Sequence, residues 1–254
     1  MNMKKIKNNA KNWAILWNKK DSLPIVHKKL IKAITKTTTI KNKKILEIGA
    51  GLGGDLIYLS KIGGICTAVD ISEVSLKKIK QLAKRNNVKI KTIKCDANKL
   101  IFGKETFDVI FHQGFLEHFK NPTLLLKEQE RILKKGGILL VDVPQRYNSY
   151  TVYKRWKRFK KEWEIPWEKE YTKKQLYEMI KNIGLTPKLI YYRNIFPPGI
   201  KKIMKGKIPK RLQSKKIFNN RISHKIIFHL GKIIKRNERC PLFYQCIGIV
   251  AQKK

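Results

Sequence analysis

Acids and glycines gather around one short stretch of this sequence. Glu47 stands two residues before Gly49, in the run Gly49-Ala50-Gly51-Leu52-Gly53-Gly54; Asp70 follows Gly49 by 21 residues and Asp96 comes 26 later. Loop glycines let a backbone approach a ligand closely, and a helix starting there offers free N–H groups. Gly49, Gly51 and Gly54 fit the GxGxxG spacing of dinucleotide sites, while Gly49, Gly51 and Gly53 fit a GxGxG spacing. The acids bear on the choice. A carboxylate at position 47 repels a pyrophosphate and attracts a cation. Asp70 is placed to accept ribose hydroxyls, and Asp96 to accept from an adenine amino group. With no basic residue in the loop, the set suits a cationic nucleoside.

Such a set works only at the ends of aligned strands. Residues 44–48 are an apolar run ending in glycines, as a buried strand does. Residues 65–70 form a second strand, 88–94 a third, 107–111 a fourth and 138–143 a fifth. Helical stretches lie between them, at 55–62, from the cap Ser72 to about Asn86, and from Pro122 to a stop at Gly136-Gly137. The alternation predicts a parallel sheet covered on both faces. After Pro144 the rhythm breaks: residues 145–170 are aromatic and basic without clean periodicity. A helix over 172–183 and a strand over 187–192 restore it. An irregular basic stretch follows at 197–240, with an amphipathic helix near 225–234, and a strand over 243–251 closes the chain. The first forty residues read as a helical, basic segment anchored by Trp13, Ile15, Leu16 and Trp17.

Residues 44–143 resemble the class I S-adenosylmethionine-dependent methyltransferases in motif order and spacing. Lys44-Ile-Leu-Glu-Ile-Gly-Ala-Gly-Leu-Gly53 is similar to their first motif, Ala68-Val-Asp-Ile-Ser72 to the ribose motif and Cys95-Asp-Ala97 to the adenine motif. Phe107-Asp-Val-Ile-Phe111, running on to Leu116-Glu-His-Phe119, resembles the fourth-strand motif, and Leu133-Lys-Lys-Gly-Gly-Ile-Leu139 the turn into the fifth strand. The resemblance implies an α/β fold: a Rossmann-like, doubly wound, seven-stranded sheet with its last strand antiparallel, carrying helical and aromatic lid insertions. It also implies S-adenosylmethionine as cofactor, contacted through Glu47, Gly49, Ala50, Gly51, Gly53, Asp70, Ile71, Asp96 and Ala97, with His112 and Gln113 at the mouth of the fourth strand. Leu116-Glu117-His118 most resembles the branch that includes the ubiquinone-biosynthesis O-methyltransferases. Some of those carry a Glu-x-x-Glu-His metal site, but Gly114 fills the first glutamate position here, so no metal is expected. Glu117 and His118 are candidates for a general base or a substrate contact, and equally for capping or core hydrogen bonding.

On this reading residues 1–40 are an N-terminal helical lid segment. Residues 41–254 are the methyltransferase domain, with insertions at about 145–170 and 197–240. The aromatic residues Tyr147, Tyr150, Tyr153, Trp156, Phe159, Trp163 and Trp167 suit a substrate lid, a base-stacking platform or inward packing.

The four cysteines form no CxxC pair, and Cys66 and Cys95 read as reduced core residues. The formal net charge of +40, mostly lysine spread along the chain, reads either as compositional drift or as a surface for nucleic acid or anionic lipid. No apolar run is long enough to span a membrane and the start lacks an apolar leader, so a cytoplasmic protein is expected. The favoured function is methyl transfer to a small-molecule or lipid-like acceptor. An RNA methyltransferase and a non-catalytic cofactor-binding module stay open as alternatives.

Overall fold

A computed structural model describes residues 13–15, 17, 24–162, 168–195 and 244–254. The amphipathic helix expected near 225–234, most of the 197–240 stretch, and Leu16, Trp163 and Trp167 lie outside the described residues. The described residues contain seven strands in one sheet: β1 (Lys44–Ile48), β2 (Ile65–Asp70), β3 (Ile90–Lys94), β4 (Phe107–Gln113), β5 (Leu133–Pro144), β6 (Leu185–Ile195) and β7 (Tyr244–Lys253). Their order is β3-β2-β1-β4-β5-β7-β6. The pairs β1–β2, β1–β4, β2–β3 and β4–β5 are parallel, and the last strand runs antiparallel, as the Rossmann-like reading expects. Among the described residues, the helices with both ends placed are α1 (Lys28–Thr37), α2 (Gly54–Lys61), α3 (Glu73–Arg85), α4 (Pro122–Ile132), α5 (Ser149–Phe159) and α6 (Lys173–Asn182).

Local chemistry sets these boundaries. Ile45, Leu46 and Ile48 of β1 are fully buried, which is why the strand reads as apolar apart from Glu47. Ser72 caps α3 as its residue type predicts, its hydroxyl accepting from the Ser75 amide at 3.4 Å. Pro122 occupies the first turn of α4.

Three expectations need correction. α4 stops at Ile132 rather than at Gly136-Gly137: Leu133 is already extended and pairs with Phe107, and the glycines fall inside β5. Residues 145–170 contain a regular helix, α5. Cys95 is half-buried and not a core residue; its thiol reaches the Lys99 carbonyl at 3.2 Å.

Two compact units divide the described residues. One holds the chain to Val143 with Lys173–Tyr191 and Gly248–Lys254. The other holds Pro144–Thr172 and the described residues between Tyr192 and Ile247.

Candidate active site

The site lies in the first unit, where β1 ends. The neighbours of β1 are β2 on one side and β4 on the other, so the strand order reverses here, and ligands of open α/β sheets bind at such a switch point. Glu47 pairs with Ala68 of β2 and Phe111 of β4, one residue short of the strand end. It is only 6% exposed, and its Oε2 has no hydrogen-bond partner among the described residues. Burial, and then the carboxylates of Asp55 and Asp70, push its pKa well above the ordinary 4.5. Burial, with Glu47 adding to it, also pushes the Cys66 thiol up to about 12, which keeps that sulfur neutral and unreactive.

The loop after β1 needs its glycines. Gly49 and Gly51 sit at φ +66° and +54°, in the left-handed region. A Cβ on Gly49 would collide with the Phe115 ring, and one on Gly51 would come within 2.9 Å of the Trp17 ring. Asp70, at the end of β2, ties this loop down. Its Oδ1 accepts from the Ser72 amide at 2.8 Å; its Oδ2 accepts from the Gly51 amide at 3.1 Å and lies 3.1 Å from the Ser75 hydroxyl. Burial raises the Asp70 pKa, against the lowering effect of these donors. The Ser75 hydroxyl also reaches the Gly51 carbonyl. It has one proton, so donating to Gly51 leaves Asp70 Oδ2 with acceptor capacity for another hydroxyl.

Asp96 is half-buried two residues beyond β3, where its Oδ1 accepts from the Asn98 amide at 3.0 Å and the Asn98 side chain at 2.8 Å. Ala97 beside it is buried, and Ile71 is half-buried after β2. Glu47, Asp70 and the loop thus form one cluster, with Asp96 on the neighbouring strand end.

His112 and Gln113 do not follow the fourth strand, as expected, but belong to it, paired with Val141 and Asp142. His112 is fully buried beside Gln129 of α4, and burial pushes its pKa down to about 3. Glu117 is buried on a short 3₁₀ turn (Leu116–His118), and the His118 ring meets Trp13 edge-on at 5.0 Å. Among the described residues no group of three His, Cys, Asp or Glu side chains could hold a metal ion.

The sequence reading missed several neighbours of the loop. Asp55, in the first turn of α2, accepts from His27 through both the backbone amide and Nδ1 at 2.7 Å. Trp17 lies against Gly51 and offers its carbonyl to Lys78 Nζ at 2.6 Å. Phe115 covers Gly49. The position of Asp55 beside Gly54 was the one legible sign of these.

A buried carboxylate thus lies beneath a glycine turn at the switch point of an α/β sheet, with a second acid at the end of the next strand. The family follows: residues 46–141 match the model described as a methyltransferase domain, and this region belongs to the class I S-adenosylmethionine-dependent methyltransferases. The ubiquinone biosynthesis O-methyltransferase of Pelagibacter ubique is 31% identical over 102 residues, which is 40% of this chain and 42% of that protein. The protein of the same name from Coxiella burnetii is 29% identical over 147 residues, 57% of this chain and 62% of that one. The similarity therefore spans about half the length of these relatives. The fold also matches the magnesium protoporphyrin IX methyltransferase of Synechocystis PCC 6803, solved with bound SAH. That match has a TM-score of 0.59 at 12% identity, over 89% of this chain and 81% of the other.

Proposed function

We propose that this chain transfers the methyl group of S-adenosylmethionine to a small-molecule or lipid-like acceptor. Glu47 carries the reading: a carboxylate buried to 6% exposure, next to Asp55 and Asp70, whose Oε2 meets no donor among the described residues. Such a group is costly to bury unless a cation completes it. The cofactor's amino group and sulfonium supply that charge, whereas a pyrophosphate would worsen the repulsion.

Each residue then has a task. Glu47 takes the amino group. The backbone of Gly49, Ala50, Gly51 and Gly53 forms the turn that the amino-acid end crosses. Asp70 accepts from the ribose hydroxyls, Asp96 from the adenine amino group, and Ile71 and Ala97 flank the base. Gln113 stands closer to the mouth than His112, which packs inward. The contacts of Trp17 and His27 with the loop and α2 support the lid role expected of residues 1–40 for the part before α1, while Leu30, Ile31 and Ile34 of α1 pack into the core.

The cofactor brings an already activated methyl on a sulfonium, which leaves as a neutral thioether. The protein's work is to hold the acceptor in line behind that carbon at roughly 3–3.5 Å and to keep water out. A base is needed only where the acceptor gives up a proton, and Glu117 and His118 are the candidates. The names of the relatives above favour an oxygen acceptor.

Calorimetry tests the reading. Wild type should bind S-adenosylmethionine and S-adenosylhomocysteine. Asp70→Asn, which weakens charge-assisted hydrogen bonds of about 1.5–3 kcal/mol, should bind roughly ten- to a hundredfold more weakly. No binding by wild type, or equal binding by the variant, would sink the proposal. Binding without turnover over a broad set of hydroxylated acceptors would leave a binding module instead.

A further inference from the structure

Helix α5, in the second unit, is inside out. Its inward positions are polar: Thr151 and Lys154 are 2% and 1% exposed. Thr151 donates through its hydroxyl to the Gln145 carbonyl at 3.0 Å, and Lys154 Nζ meets Glu168 Oε1 at 2.6 Å and Glu170 Oε1 at 3.0 Å. Its outward stripe is apolar: Val152, Trp156 and Phe159, spaced four and three residues apart, are 69%, 49% and 87% exposed. Tyr147, just before the helix, is also exposed. A helix that spent its apolar residues on a core would point the other way. Exposed aromatic stripes of this kind mark contact surfaces.

The charges around the stripe identify the occupant. Arg155, Lys157, Lys160 and Lys161 flank it, with Glu162 the single acid of residues 145–162. Lys160 Nζ sits 4.3 Å above the Trp156 ring and Lys157 Nζ is 5.7 Å from its centroid. Apolar and aromatic side chains ringed by cations match an anionic bilayer surface, where the rings enter the acyl boundary and the lysines meet headgroups. A second copy of a chain with net charge +40 brings the same charges and is repelled. Base stacking uses ring faces, and the aliphatic Val152, 69% exposed at the head of the stripe, offers none, whereas an acyl boundary takes aliphatic and aromatic side chains alike. We infer that α5 is an interfacial helix that docks this protein on anionic membrane through Val152, Trp156 and Phe159. Docking uses nothing of the glycine loop, so it stands or falls apart from methyl transfer.

The full chain is sedimented with vesicles of phosphatidylcholine alone or mixed with phosphatidylglycerol. A chain this basic adsorbs to anionic vesicles at low salt in any case, so the informative condition is about 0.5 M salt, where surface charge is largely screened. Wild type should stay bound to the phosphatidylglycerol vesicles there. The triple variant Val152→Ser, Trp156→Ser, Phe159→Ser should keep an unchanged Tm, because all three side chains are exposed, yet partition roughly 100-fold more weakly. Brominated acyl chains should quench wild-type tryptophan fluorescence, and Trp156→Phe, which leaves four other tryptophans, should lower the quenched fraction while remaining bound. Equal high-salt binding by the triple variant, or a quenched fraction unchanged in Trp156→Phe, would overturn the inference. So would a triple variant that loses single-stranded RNA binding or dimerisation in place of vesicle binding, since the face would then belong to that partner.

Discussion

Glu47→Gln should make the free protein more stable and its cofactor binding much weaker, two effects that an ordinary structural glutamate would not combine. Glu47 has no donor at Oε2 and two carboxylates nearby, so its charge is a cost to the folded chain. Glutamine keeps the shape and removes the charge. Each kcal/mol recovered should raise Tm by roughly 2–4 °C in a chain of this size. The pH dependence has a definite sign. Because the folded pKa lies above the ordinary 4.5, the folded state holds this proton more tightly than the unfolded chain. The stability tied to Glu47 is therefore greatest at low pH, is lost as pH rises from about the unfolded value through the raised one, and is level above it. Glu47→Gln should remove that slope. Cofactor binding runs the opposite way, since the cation needs the ionised carboxylate: wild-type affinity should rise with pH over the same window and release a proton. Removing one partner of a buried charge pair costs about 2–5 kcal/mol, a loss of roughly 30-fold or more for S-adenosylhomocysteine, and the pH dependence should flatten with it. Thermal melts and calorimetry across pH check both. A destabilised variant, or unchanged affinity, would remove Glu47 from the site.

The loop chemistry was legible because it is written in strand ends. A carboxylate or glycine at the end of an apolar run, or just past it, has its place fixed by the run, so Glu47, Gly49, Gly51 and Asp70 could be grouped before any fold was known. The sheet was legible for the same reason: buried strands such as β1 and β5 announce themselves by short apolar runs, Ile45-Leu46 and Ile138–Val141 among them. What depends on side chains arriving from elsewhere was not legible. Phe115 and Trp17 reach the glycines from 66 residues after and 34 residues before them, and nothing local marks them. His112 and Gln113 were placed beyond β4 because the apolar run ends at Phe111, yet the backbone ladder continues to Gln113 opposite Asp142. The end of α4 was misplaced because glycine was read as a stop signal, whereas pairing of Leu133 with Phe107 ends the helix first. The helix α5 was hidden by its reversed pattern: a search for an apolar face assumes that the face turns inward, and here the outward one is apolar.

That same reversal makes Lys154 the residue whose loss should most damage the second unit. It is 1% exposed, lies between Glu168 and Glu170, and its ammonium stands 5.6 Å from the centre of the Tyr150 ring. Arg158 reaches Glu168 at 3.3 Å, but no second cation is paired with Glu170 among the described residues. Lys154→Ala therefore leaves two largely buried carboxylates facing one another with one partly exposed guanidinium. Breaking a buried ion pair from one side costs about 3–5 kcal/mol, far more than the pair is worth against an apolar replacement. Urea denaturation followed by tryptophan fluorescence should show a loss of that size. The cause is then separable from simple loss of volume. If uncompensated charge is responsible, adding Glu168→Gln and Glu170→Gln to the alanine variant should restore most of the stability, although those changes create no new packing. If the triple variant is no more stable than Lys154→Ala, the lysine serves by filling space with its methylene chain, and α5 faces inward with polar residues for a reason other than this ion cluster.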